Sequence, residues 1–299
     1  MGQGRRHQMH QNGLSERGGC NRHGGDYESG GLETGNLNSS SRRNSVGADF
    51  PWRSAGMSLQ RKFRGNQKMK LYIDGLKDKY IRSFFTTAAG AARTPYTNEA
   101  VRAALGMQDI IWVRSRQVHR DCILAIDQKP ETDLVLDGYD AFVTDIPGIC
   151  LITAHADCIP VQLYDADRKV IAAVHAGWRG TALAIAAKTA ELMKDRYNCD
   201  NIRGYVGPGI SECCFETDID VPKAMRESFK WADEYILEGR EAGKFYVDLK
   251  GINARQLEEA GVTDIEISDI CTCCNESFCS HRRNPAGNLR MASGICLFD

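Results

Sequence analysis

Two side chains of the metal-binding and nucleophilic kind, Cys158 and His175, stand 17 residues apart. The segment between them reads as an apolar run, the polar turn "DADRK", and a second apolar run, "VIAAVHAG". That pattern predicts two strands joined by a tight turn. If the strands pair as a hairpin, Cys158 and His175 fall at the same end, on neighbouring strands. Cys158 also closes a polar break, "HAD", inside the apolar stretch "GICLITAHADCIPVQLYD". Such a break costs stability unless it faces a cavity or a site. His119 ends an earlier strand candidate, "DIIWVRSRQVH", and offers a third ligand. One Cys and two His suit zinc: three protein ligands leave a fourth tetrahedral position open for water or substrate. Water held there becomes a nucleophile near neutral pH. Cys158 and His175 equally suit a nucleophile–base pair of the thiol-hydrolase kind, and spacing alone leaves both open.

Other residues could surround that centre. In "VHAGWRGT" a turn follows His175, with Arg179 beside it and a helix expected to start at Thr181. A helix start favours an anion, so Arg179 and Thr181 are candidates for binding phosphate. A tight strand–helix turn packing Trp178 explains the same residues. Asp157, next to Cys158, is a candidate acid or a buried structural carboxylate. His155, three residues before Cys158, either supports the site from behind or is a satisfied core histidine. In "CTCCNESFCSHRR", Arg282 and Arg283 follow His281 and suit a phosphate or carboxylate. A solvated charged turn is the competing reading. Cys271 and Cys274 form a C-x-x-C pair with Cys279 and His281 nearby, the makings of a structural zinc site. The reading favoured here is small buried residues in a turn.

These residues need elements to hold them. "KLYIDG", "YIRSFFTT", "CILAID", "DAFVTD", "IRGYVGPGI", "FYVDL", "DIEIS" and "GICLF" read as further strands. "TNEAVRAALGM", capped by Thr97 or Asn98 and stopped by Gly106, reads as a helix, as do "TALAIAAKTAELMKDRY", "VPKAMRESF" and "KGINARQLEEAG". Strands dominate the middle, and no fixed-period repeat runs through the chain. The fold class is therefore α/β (α+β) with one continuous core.

The 299 residues carry 38 Lys+Arg against 39 Asp+Glu, so no global basic field collects nucleic acid or coats an anionic membrane. No apolar run reaches the roughly 18 residues of a membrane span, and no secretory signal is evident. Residues 1–68 differ: 11 Lys+Arg, 5 Asp+Glu and 13 of the 29 Gly, with no apolar period. This basic Gly/Ser/Arg-rich extension is expected to be disordered, with Met57 or Met69 as an alternative start and residues 69–299 as the catalytic domain. The 12 Cys, without a secretory signal, fit reduced thiols in a cytoplasmic protein better than a disulfide scaffold.

"RQVH", "TAHADCIPV", "VHAGWRGT", "GPGISECCFE", "VDLKGINARQLEEAGV" and "CTCCNESFCSHRR" occur in this order. Together they resemble the YfiH/YlmD family, also called the multicopper polyphenol oxidoreductase or laccase family, and most of all its Gram-positive YlmD-type members. The resemblance covers about residues 110–299 well and 70–109 weakly. It implies a single domain of layered mixed β-sheets flanked by helices. It also implies a metal site on His119, Cys158 and His175, which act as both catalytic residues and ligands. The implied activity is phosphorolysis of adenosine, inosine, guanosine or methylthioadenosine and deamination of adenosine, with zinc as the metal. The implied partners are purine nucleosides and phosphate.

The chain departs from the family before its first helix. Where members carry "TTRxGGVS" and then "LNL", it reads "FTTAAGAARTPYTNEAVRAALGM". Ala88 or Ala89 stands where the family has Arg, and the 86–97 loop is shortened. Arg120 replaces a usual Gly. Three alternatives stand beside the purine reading. One is a copper-dependent polyphenol oxidase, which the 7 His serve poorly, since three lie in residues 1–68. The others are an editing hydrolase for peptidoglycan precursors and a metal-binding protein without activity.

Overall fold

A computed structural model describes residues 70–93 and 99–299. The expectations for residues 1–68 and for the caps Thr97 and Asn98 lie outside the described residues. One six-stranded sheet contains β1 (Tyr72–Asp78), β2 (Ile81–Thr86), β3 (Ile111–Arg116), β5 (Leu134–Asp137), β7 (Ile149–His155) and β15 (Met291–Leu297), in the order β1-β2-β15-β7-β3-β5. A second contains β4 (Ile123–Ala125), β6 (Ala141–Thr144), β8 (Ile159–Asp165), β9 (Val170–Ala176), β10 (Ile202–Val206) and β14 (Asp264–Ile267), in the order β14-β10-β8-β9-β6-β4. A small third sheet joins β11 (Glu216–Thr217), β12 (Ile236–Glu238) and β13 (Phe245–Val247). The helices are α1 (Glu99–Leu105), α2 (Trp178–Ala182), α3 (Ile185–Tyr197), α4 (Asp220–Ser228) and α5 (Leu249–Glu259).

Side-chain parity explains the layering. Along β8 and β9, Val161, Leu163, Ala172 and Val174 share one apolar cluster with Ala186, Ala190 and Met193 of α3 and Ile252 and Leu257 of α5. The alternate residues Tyr164, Ile171 and Ala173 share another with Leu151 of β7 and Ile295 of β15. On the far face of the first sheet, Phe84, Trp112 and Ile152 cluster with Val101 and Leu105 of α1. Successive strand residues point to opposite faces, so the order is helix, sheet, sheet, helices. Strands buried on both faces need largely apolar sequence; β9 has it throughout, and β8 breaks it at Gln162, whose amide donates to Ser293 Oγ and the Gly294 carbonyl. The two large layers are the layered mixed sheets that the family resemblance implied.

Three local features differ from expectation. The long helix predicted from Thr181 is two helices, α2 and α3, because Ala184 takes a left-handed conformation (φ 59°) between them. The strand ending at His119 stops at Arg116. The thiols are not all reduced: Cys150 and Cys296 face one another across β7 and β15 and are joined as a disulfide. Their direct register across an antiparallel pair brings the sulfurs together.

Candidate metal centre

The polar break before Cys158 is where the chain leaves one sheet for the other. His155 ends β7, Ile159 begins β8, and Cys158 sits at the corner between them. β8 and β9 pair as the predicted antiparallel hairpin, with Ile159 opposite Ala176 and Pro160 opposite His175. Cys158 and His175 therefore meet at one end. His119 arrives from the first sheet on the loop after β3. Ligand atoms of His119, Cys158 and His175 all lie within 4.8 Å of one another. The His119 and His175 rings meet edge to face, centroids 4.7 Å apart. Depth is graded: His175 is buried, Cys158 half-buried and His119 exposed.

Asp140, fully buried in the turn before β6, holds two of these residues. Its carboxylate accepts the backbone N–H groups of Val118 (3.2 Å), His119 (3.0 Å) and Arg120 (3.0 Å). That bond set retains His119 in a left-handed backbone conformation, φ 59°, which a residue with a Cβ adopts at a cost. The same carboxylate accepts Nδ1–H of His175 at 2.9 Å, which turns Nε2 of His175 toward Cys158. Gln117 completes the support: its side-chain amide bonds both ways with the backbone of Ala154 in β7, at 3.0 and 2.7 Å. Neither residue was singled out from the sequence. Asp140 acts on residues 20 to 35 positions away, and no local pattern carries that signal.

Electrostatics follows from the packing. Burial alone would push the Cys158 thiol up. The charge on His175 and hydrogen bonds from His119 and His175 reverse this and bring it down to about 6. Burial would lower His175, but the Cys158 thiolate and the Asp140 carboxylate raise it to about 9. Without a metal, these opposed shifts favour a thiolate–imidazolium pair. His155 behaves differently: burial and the nearby positive His175 hold it well below the ordinary histidine range. Its Nδ1 faces the Cys158 carbonyl at 3.1 Å and its Nε2 the Thr153 hydroxyl at 2.7 Å. A carbonyl only accepts, so Nδ1 carries the proton and the ring is neutral. His155 is a satisfied buried histidine that braces the Cys158 backbone.

The donor set fits a metal. Two imidazoles and a thiolate suit zinc or copper. Gly177, opposite Cys158 across the hairpin, keeps the space open: a Cβ there would lie 3.0 Å from the His119 ring and 3.2 Å from Cys158 Sγ.

The anion candidates fare unevenly. Thr181 does not reach an anion: it is fully buried, and its hydroxyl accepts Asn253 Nδ2 at 3.0 Å. The helix begins earlier than expected, at Trp178, which turns Thr181 into the core. Arg283 is committed elsewhere, its guanidinium donating to the carbonyls of Thr272, Cys273 and Phe278. A guanidinium suits an oxyanion and a set of carbonyls equally, so residue type could not separate the two. Arg282 is exposed and donates to the Cys214 carbonyl at 2.8 Å. Arg179 is exposed and stacks on Trp178, 4.2 Å from the ring centroid. Both carboxylate oxygens of Asp157 are taken, by Thr272 Oγ1, Ser280 Oγ and the Arg282 N–H, so it pins the C-terminal loop instead of facing a substrate. The C-x-x-C thiols are not simply buried: Cys271 is buried and Cys274 exposed.

Residues 92–298 match the family model described as multi-copper polyphenol oxidoreductase laccase. The chain belongs to this family. A relative named adenosine deaminase, from an unknown prokaryotic organism, is 32% identical over 206 residues, covering 66% of this chain and 78% of the relative. Purine nucleoside phosphorylase YlmD of Geobacillus stearothermophilus is 34% identical over 197 residues, covering 62% and 71%. The crystal structure of the Bacillus licheniformis protein YfiH superposes with a TM-score of 0.66 at 30% identity, covering 73% of this chain and 92% of that one. The layered architecture is the family's, and the sequence resemblance to YfiH and YlmD proteins holds.

Proposed function

We propose that this family member is a zinc-dependent purine nucleoside enzyme. It splits adenosine, inosine, guanosine or methylthioadenosine with phosphate and deaminates adenosine, using residues 69–299. The observation that carries this reading is the convergence of His119, Cys158 and His175 over the bare Cα of Gly177, in a chain whose relatives are named for these two activities. When bound, the metal supplies Lewis-acid chemistry at a fourth, open coordination position. The chain supplies the rest. Asp140 fixes the tautomer of His175 and the angle of His119. His155 braces the Cys158 corner, and Gly177 leaves room for the reacting group. Exposed Arg179 and Arg282 are the remaining cations for phosphate, which must be positioned against the ribose. The protein works in the cytoplasm, with Cys158 as a free thiol.

The test is metal removal and return. The chelated chain should release neither hypoxanthine from inosine and phosphate nor ammonia from adenosine, and zinc should restore both where copper does not. Restoration by copper with oxidation of a phenol would overturn the reading. The thiolate–imidazolium pair favours a second reading, hydrolysis by Cys158 as nucleophile, as in editing a cell-wall precursor. Turnover by the chelated chain on an amide or ester substrate would select it.

A further inference from the structure

A second group of ligand atoms lies outside this centre. β10 and β14 are parallel neighbours, so the loops that follow them leave at the same end. Cys213 and Cys214 lie on the first loop, Cys271 and Cys274 on the second. The four sulfurs all lie within 4.8 Å of one another. Cys274 Sγ is 3.5 Å from that of Cys213 and 3.2 Å from that of Cys214, and the vicinal pair is 3.8 Å apart. All four cysteines are free. With zinc–sulfur bonds of about 2.3 Å, a regular tetrahedron has sulfurs about 3.8 Å apart; the vicinal pair matches that spacing and the two contacts of Cys274 are shorter. We propose that Cys213, Cys214, Cys271 and Cys274 form a second, structural zinc site that staples the two loops together.

The surroundings of Cys271 suit a thiolate. Cys271 Sγ receives the backbone N–H of Ser211 at 3.4 Å and those of Cys273 and Cys274. Backbone donors returning to the first sulfur of a C-x-x-C turn stabilise a thiolate. Four thiolates around a dication leave a charge of −2, and three cations stand close by. Buried Lys250 donates to Ser211 Oγ and to the carbonyls of Ser268 and Ile270, at 3.0, 2.9 and 2.7 Å, which places an ammonium at the roots of both loops. Arg282 and Arg283 donate to the carbonyls of Cys214 and Cys273. On binding, zinc displaces the thiol protons to solvent. The stapled loops reach the first centre: Thr272 and Arg282 grip Asp157, the neighbour of Cys158.

The test uses the full chain purified without added metal. Zinc is counted in the wild type, in Cys158→Ala, which breaks the other centre, and in Cys274→Ser. Cys158→Ala should keep about one zinc per chain, and Cys274→Ser should lose that ion. If Cys274→Ser fails to fold, cobalt-substituted Cys158→Ala decides. It should show the intense charge-transfer and visible bands of cobalt in a tetrahedral thiolate site. The proposal is overturned by a zinc-free Cys158→Ala chain, by iron in place of zinc, by a disulfide among the four thiols in reducing buffer, or by absence of those cobalt bands.

Discussion

At the residue scale, Asp140 does more than any neighbour of the three candidate ligands, because one carboxylate fixes two of them. Asp140→Asn turns an amide N–H toward groups that are themselves donors. Activity and metal affinity should fall by about 10- to 100-fold, and the thermal midpoint should fall too, because buried donors lose their acceptor. Unchanged turnover would show that His119 and His175 need no such support. The ionisation of Cys158 gives a second prediction. Its value lies below the ordinary thiol range, so the thiolate survives as pH falls until about 6 and is protonated below that. Alkylation of Cys158 in the metal-stripped chain, followed by mass spectrometry, should stay fast from pH 8 down to about 6 and then drop. An inflection near the ordinary thiol value of about 8.5 would contradict the pairing with His175. Cys158 and His175 are legible from sequence because the hairpin length fixes where they meet; His119 is reached as a strand end although β3 stops at Arg116 and a loop carries it in. Asp140 is not legible, because its role exists only once the turn before β6 folds against the loop after β3. Thr181 and Arg283 were misassigned because their chemistry suits an anion as well as it suits the backbone groups they meet.

At the element scale, the centre depends on the corner between β7 and β8 and on the junction of β9 with α2. Gly177 makes that junction. Gly177→Ala places a methyl against the His119 ring and Cys158 Sγ, so metal content and turnover should fall together while circular dichroism keeps its native form. Retained metal would mean that the ligands can move apart to admit it. The strands themselves were easy to predict, since long β-branched runs broken by "DADRK" and "HAD" leave few alternatives. The short β5, β11 and β12 were not, because two to four residues carry too little pattern. The split between α2 and α3 escaped for another reason. Ala184 is a strong helix former, and nothing local marks its left-handed turn; α2 beside it is tied to α5 by Asn253 and Gln256 on Thr181.

At the scale of the molecule, two sheets packed face to face bring His119 from one layer to Cys158 and His175 of the other. The apolar layer between the sheets sets the stability of that alignment. Leu151 is fully buried there. Leu151→Ala should lower unfolding free energy by about 2–5 kcal/mol, read from denaturant midpoints, with turnover kept at low temperature. A loss below about 1 kcal/mol would mean that the layer collapses around the gap. The pattern of strands and helices foretold a mixed fold; the expected single core is instead three apolar layers, and a second sheet against the first was implied only by the family resemblance, because strand order depends on pairings between distant segments.

Cys158 is proposed to stand at the heart of a purine nucleoside centre. The most direct measurement is phosphate-dependent release of hypoxanthine from inosine by the full chain, with Cys158→Ala beside it. Turnover is expected in the first, matched by ribose 1-phosphate, with loss of at least about two orders of magnitude in the second. Equal turnover in both, or none from a folded, metal-loaded chain with inosine or adenosine, would contradict the proposal.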